Sequence, residues 1–172
     1  MHVNMLRPDG LGSAAEAIFT QFGIAINRCQ EAEALLALNL QYSMVLAGRF
    51  ASLEVADAFA QKHGVISMGQ LVEKWSPYLG DAHLKTSLAR AVSTRNDLAH
   101  KFFLQVQSGI LVTDAEIESA VVRCRAASEE FAALIVQLER QWHSAAAKLA
   151  GSPGAFVPGL QARISAIERG DY

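Results

Sequence analysis

Apolar residues recur at three- and four-residue intervals along most of the chain, the spacing that gathers one face of an α-helix. Between Ser13 and Ala47 the stripe reads Phe19, Phe22, Ile26, Cys29, Leu36, Ala37, Leu40 and Met44, all within about 80° of Ile26 in helical projection. Ser13-Ala14-Ala15-Glu16 has the form of a capping box that opens this helix, and Gly48 offers a stop. A second helix is expected from Phe50 to Lys62, ending at His63-Gly64. Ser67-Met68-Gly69-Gln70 is another capping box, and the short helix behind it should end near Ser76-Pro77, because proline disfavours helix in its predecessor. Asp81 can cap a long fourth helix reaching about Gln107. Thr113-Asp114-Ala115-Glu116 can cap a fifth, running to about Leu149. Gly151-Ser152-Pro153-Gly154 and Val157-Pro158-Gly159 then interrupt the pattern. Beyond them Leu160, Ile164 and Ile167 fit one face of a short helix. The expectation is an all-α, up-and-down helical bundle of about five helices over residues 13–150, preceded by an arm (1–12) and followed by a linker and short helix (151–172).

Composition changes this picture little. At 172 residues and 51% hydrophobic content, the chain is long enough for one domain with a buried core. A formal net charge of −2 gives no global attraction to nucleic acid or anionic membrane, so a polyanion site must be a local patch. No apolar run approaches the roughly 18–20 residues that span a bilayer. The start lacks the basic and apolar regions of a signal peptide, so a cytoplasmic, membrane-free protein is expected. Cys29 and Cys124 sit in helical patterns at no metal-ligand spacing and read as reduced core or interface residues, with a disulfide as the alternative. His2, His63, His83 and His143 are scattered. Neither a His-Glu-x-x-His pattern nor a glycine-rich phosphate loop occurs, so no metal and no cofactor is expected.

The chemistry concentrates in Thr94-Arg95-Asn96-Asp97-Leu98-Ala99-His100-Lys101-Phe102-Phe103. On a regular α-helix Ser93, Asn96 and His100 share one face, Asn96 and His100 lying about 40° apart. That face has too few apolar groups for ordinary core. Asn96 is placed to hydrogen-bond the imidazole and set its tautomer, and an unperturbed histidine, titrating near pH ~6.5, can both take and give a proton near neutrality. Arg95 lies about 140° from His100, in line with Leu84, Leu88, Ala91, Leu98 and Phe102. Glu33 stands likewise at the centre of the first helix's stripe. The simplest reading is that Glu33 and Arg95 meet. Arg95 is then either a structural arginine or one whose far side can hold phosphate, since guanidinium has five donors and a carboxylate uses two. Lys85, Arg90 and Lys101 flank the stretch as a candidate basic patch, or as ordinary solvated charges. Trp75 and Tyr78 either stack on bases or pack around Pro77.

Arg95-Asn96-Asp97-Leu98-Ala99-His100 resembles the Arg-x4–6-His motif of the HEPN superfamily, whose members commonly carry Asn, Asp or His directly after the arginine. The flanking Leu98-Ala99-His100-Lys101-Phe102-Phe103 is also similar to sequences of that group. The likeness covers roughly residues 13–150, and its specific part is the six-residue motif. It implies a helical domain that pairs through its motif helices into a homodimer, so that two motif copies face one cleft. It also implies a metal-independent ribonuclease, of the kind found among toxins and defence effectors, with an RNA substrate and, for the toxins, a protein antitoxin. Carried onto this chain, His100 would be the acid/base, Arg95 would stabilise the phosphorane, and Asn96 would orient imidazole or substrate. Glu33 and Ser93 would support them. The alternative is a non-catalytic HEPN-like helical dimer acting as a binding or regulatory module.

Overall fold

The computed structural model describes residues 8–63, 67–102 and 113–151, and among them it contains helices and no strands. Five α-helices follow in order: α1 (Pro8–Leu46), α2 (Leu53–His63), α3 (Met68–Trp75), α4 (Ala82–Asn96) and α5 (Asp114–Ala150). A 3-10 turn (Ser76–Tyr78) follows α3, and a π turn (Asp97–Phe102) continues α4. The all-α bundle is therefore as expected. The expected linker and short helix beyond Gly151 lie outside the described residues, as does the segment 103–107.

The helix boundaries follow short-range chemistry. Ser67 accepts from the Gln70 amide while its own N–H donates to Gln70 Oε1 at 3.0 Å. Thr113 and Glu116 make the same reciprocal pair, with the Thr113 N–H donating to Glu116 Oε2 at 2.9 Å. Asp81 Oδ1 accepts from the amides of His83 and Leu84 at 2.8 and 3.2 Å. At the end of α1, Gly48 takes φ +68°. This left-handed turn lets the Gly48 and Arg49 amides return to Val45 and Met44 carbonyls at 2.9 and 2.8 Å, a Schellman closure that glycine adopts without strain. Two helix starts differ from expectation. Helix α1 starts at Pro8, ahead of the Ser13 box and inside the expected arm; proline suits a first helical position because its missing N–H would have had no partner. Helix α2 starts at Leu53 rather than Phe50.

Helices α1 and α5 form the spine and run parallel. Arg28 donates to the Ser128 carbonyl, Asn39 to that of Leu138, and the Tyr42 ring meets Trp142 edge-on at 6.2 Å. Their seam is buried at alternating four- and three-residue steps: Ala25, Cys29, Ala32, Leu36 and Asn39 in α1; Ala120, Cys124, Ala127, Phe131, Leu134 and Leu138 in α5. This is the 3.5-residue repeat of a two-helix seam, and its alanines let the backbones approach closely. The expected stripe was rotated from this one. Phe19 is 56% exposed, and Phe22, Ile26, Ala37 and Met44 are only partly covered, because Ile18, Ala25 and Ala32 occupy the inward positions instead.

The shorter helices alternate in direction around this spine. In α3, Met68 lies at the level of Glu33 and Trp75 at that of Ser43, to which its indole N–H donates at 2.9 Å, so α3 runs parallel to α1. Helix α4 runs the other way, with Arg95 beside Glu33 and Phe102 beside Phe22.

Asn39 is 1% exposed, and its carboxamide donates to Leu35 O at 2.9 Å and Leu138 O at 3.0 Å. Asn39→Ala removes the one side-chain donor crossing the seam at this level and leaves a small cavity. We expect a loss of about 1–3 kcal/mol in urea unfolding; a change below about 0.5 kcal/mol would mean that the cross-seam bond contributes little.

Cys29 and Cys124 are both free and buried. Burial pushes the Cys29 thiol up to about 12, reinforced by Glu33 and opposed by Arg95, and the Cys124 thiol to about 11. Folding thus favours the protonated thiols. Their contribution to stability is complete below about pH 9 and is lost as pH rises toward 11 and 12. Equilibrium unfolding between pH 8 and 11 should therefore fall more steeply in the wild type than in a Cys29→Ala/Cys124→Ala variant, and parallel slopes would refute the assignment.

Candidate functional site

Leu84, Leu88 and Ala91 seat α4 in the core, and Leu98 and Phe102 continue its buried line through the π turn. Arg95 belongs to the same line but is not sealed: its side chain is 30% exposed, and Glu33 opposite is 26% exposed. The two charges meet as expected, with Arg95 Nε 3.6 Å from Glu33 Oε1. The same Glu33 oxygen accepts from the Met68 amide at 3.3 Å. One carboxylate therefore joins α1, α3 and α4, and it does so at the positive, N-terminal end of α3, where negative charge is favoured.

The other edge of the guanidinium turns outward. Arg95 Nη1 donates to Asn96 Oδ1 at 3.4 Å, and no other hydrogen-bond partner of Arg95 occurs among the described residues. Its fork therefore keeps donors for an external anion. Asn96 was expected to bond the imidazole; its carboxamide oxygen is turned to Arg95 instead. Ser93, Asn96 and His100 are all exposed, in keeping with a polar face.

The helix itself departs from expectation at this point. Rather than one α-helix to Gln107, α4 ends at Asn96 and Asp97–Phe102 form a π turn. The Asp97 amide is shared between the Ser93 and Thr94 carbonyls. A π turn holds more residues than an α turn, so it narrows the ~140° that would separate Arg95 from His100 on a regular helix. The turn is anchored at its far end, where Phe102 stacks on Phe22 at 5.3 Å and carries the Arg123 guanidinium 5.5 Å above its ring. The sequence contains neither glycine nor proline between Ser93 and Phe102, so nothing local announces the widening.

The candidate basic patch is largely paired. Arg90 Nε lies 3.0 Å from Glu130 Oε1, and Lys101 Nζ lies 3.3 Å from Asp97 Oδ1. Lys85 is exposed. Glu130 also accepts from Thr94 Oγ1 at 3.1 Å, which makes it a second acidic brace on the motif helix that periodicity alone did not bring out. Trp75 is buried and bonded to Ser43, so it packs rather than offering a stacking face. Among the described residues no cluster of His, Cys, Asp and Glu is arranged to hold a metal, and no helix is long and apolar enough to cross a membrane. No known protein family, curated protein or solved structure matches the chain.

The Glu33–Arg95 pair is partly exposed and 3.6 Å apart, so its worth lies nearer the ~0.2–1 kcal/mol of a surface pair than the ~3–5 kcal/mol lost on breaking a buried one. A double-mutant cycle with Glu33→Gln and Arg95→Ala should give a coupling of about 0.5–1 kcal/mol in chemical unfolding. Strictly additive changes would mean that the contact carries no energy.

Proposed function

We propose that this chain is a metal-independent endoribonuclease of the HEPN type, a toxin or defence effector, working as a homodimer in which two copies of the motif face one cleft. The observation that supports it most is the setting of Arg95. Its guanidinium is braced from behind by Glu33, its outer edge carries free donors, and exposed His100 follows on the widened turn that continues the same helix.

In this reading a ribose 2′-hydroxyl attacks the adjacent phosphorus and its proton passes to the His100 imidazole. The phosphorus–5′-oxygen bond breaks. The departing oxygen is protonated by the second, protonated imidazole of the dimer, leaving a 2′,3′-cyclic phosphate and a 5′-hydroxyl. Arg95 stabilises the charge that builds on the non-bridging oxygens. Asn96, bonded to that guanidinium, acts as a positioning residue, and Ser93 borders the same face. Such acid–base help is worth about 10²–10⁴ in rate, and one well-aimed donor about 10²–10³. No metal is needed for that sum.

A second reading has its own support. Arg90 and Lys101 are held by Glu130 and Asp97, which leaves Lys85 as the unpaired cation of the expected RNA patch and favours a non-catalytic HEPN-like helical dimer acting as a binding or regulatory module. One assay separates the two. Incubated with a structured RNA in excess EDTA, the wild type should leave 2′,3′-cyclic phosphate ends. His100→Ala and Arg95→Ala should each lose at least a hundredfold in rate while keeping their helical circular dichroism. Cleavage persisting in His100→Ala would remove its assigned role, and an inert wild type would leave the module.

A further inference from the structure

A cavity of about 600 Å³ lies between α1, α2 and α3, with Glu33 at its edge. That volume is in the range of small-molecule sites, roughly 300–1,000 Å³. Its walls are apolar and built from small residues: Ala34 and Ala37 of α1 face Ala56 and Ala60 of α2, with Leu40 and Leu71 between them. Each alanine leaves room that a larger side chain would fill. Phe50, just ahead of α2, and Phe59 within it pack their rings at 5.3 Å and line it as well. The lining along α1 runs from Gln30 to Met44, about 21 Å at 1.5 Å per residue. The space is therefore elongated, and it follows the helix.

Two polar groups mark one end. Gln41 Oε1 is buried with no hydrogen-bond partner, a condition rare enough in folded proteins to require an explanation. Oxygen and nitrogen of a glutamine amide are assigned by their partners, so an incoming ligand can be met by either. Lys74 also lines the cavity. It is exposed and forms no ion pair with any described residue. Because Trp75 bonds Ser43, Lys74 stands beside α1 at about the level of Gln41. Glu33, at the other end, is already engaged by Arg95 and the Met68 amide.

We propose that this groove binds a single-chain amphiphile with a carboxylate head. The apolar tail lies along the alanine walls. The carboxylate accepts from Lys74 Nζ and from the Gln41 amide, turned to present its nitrogen. The unpaired Lys74 ammonium is what selects an anionic head over a neutral or cationic one, and the Gln41 amide adds a hydrogen bond without choosing the charge. This assignment stands independently of the nuclease reading.

The test uses the full-length chain and three twelve-carbon probes that differ only in the head: dodecanoate, dodecanol and dodecyltrimethylammonium. Titration calorimetry below the micellar concentration should show one dodecanoate per chain, bound at least tenfold more tightly than either of the others. Lys74→Glu alters an exposed residue and should retain its helical spectrum. It should cost dodecanoate at least tenfold in affinity and leave dodecanol unchanged. Ala37→Trp, which fills the groove, should abolish binding of all three. Absence of dodecanoate binding, equal affinity for the three heads, or an unchanged Kd in Lys74→Glu would overturn the proposal. It would equally fall if sedimentation showed Ala37→Trp dissociating a dimer while no probe bound, since the groove would then belong to a second copy of the chain.

Discussion

The Asn39 carboxamide bridges its own helix and the Leu138 carbonyl of α5, and the placement of every other helix depends on the register this fixes. A buried Asn in an otherwise apolar seam can satisfy its donors only when a facing carbonyl stands at its height, so any slide short of a whole heptad would strand it. The small residues around it act together with that constraint. Ala25, Ala32, Ala120 and Ala127 hold the two long helices close and leave the wider surfaces of α1 free for α3 and α4. With α1 and α5 parallel, the alternating short helices are obliged to run down, up and down between them, and this sets α4 antiparallel to both. Arg95 then meets Glu33, and Phe102 meets Phe22, as consequences of one register.

What could be read from the sequence was whatever depended on chemistry within a few residues. The capping pairs Ser67–Gln70 and Thr113–Glu116, the Asp81 cap and the Gly48 turn need no knowledge of the fold, because their partners lie within one turn. The Glu33–Arg95 contact is a different success: a charge centred in an apolar stripe must find an opposite charge in another stripe, and each helix offered one candidate. The first helix's orientation was read less well because large apolar residues outweigh alanine in any hydrophobic stripe. Phe19, Phe22 and Ile26 drew the centre toward themselves, whereas a close-packed seam prefers Ala25 and Ala32 and leaves the bulky groups at its flanks. Asn39, polar within Leu38-Asn39-Leu40, was the overlooked sign of where that seam lies.

At the candidate site the divide is similar. Asp97 and Lys101 are four apart, and their pairing follows from helix geometry. The hold of Glu130 on Arg90 and Thr94 requires α5 to lie beside α4, which no local pattern states. The π turn is the least legible feature. A widened turn arises when buried groups on both sides of it fix their positions independently: Leu88 and Ala91 on one side, Phe102 between Phe22 and Arg123 on the other. One residue more than a regular α-helix accommodates is then taken up between them. The widened turn falls within the stretch that carries Arg95, Asn96 and His100.

Glu33 connects these features more directly than any helix does. Its carboxylate receives the Met68 amide at the start of α3, faces the Arg95 guanidinium on α4, and forms part of the wall of the apolar groove beside α2. It also reaches the core electrostatically, since the Cys29 thiol, one turn earlier on α1, is pushed up mainly by burial, further by Glu33, and drawn down by Arg95. At 3.6 Å and about one quarter exposed, the ion pair is loose enough to respond to small movements and close enough for them to matter, because the interaction of charges varies inversely with distance and strengthens as water is excluded. A displacement of α3 along α1 would draw the Met68 amide away from Glu33 and free that oxygen to close on Arg95. A side chain or ligand pressed against Glu33 from the groove would push it the same way. The orientation of the guanidinium is thus set by a carboxylate that also receives the first amide of α3 and lines the groove, which is why the geometry of the candidate centre cannot be separated from the packing of α3 on α1.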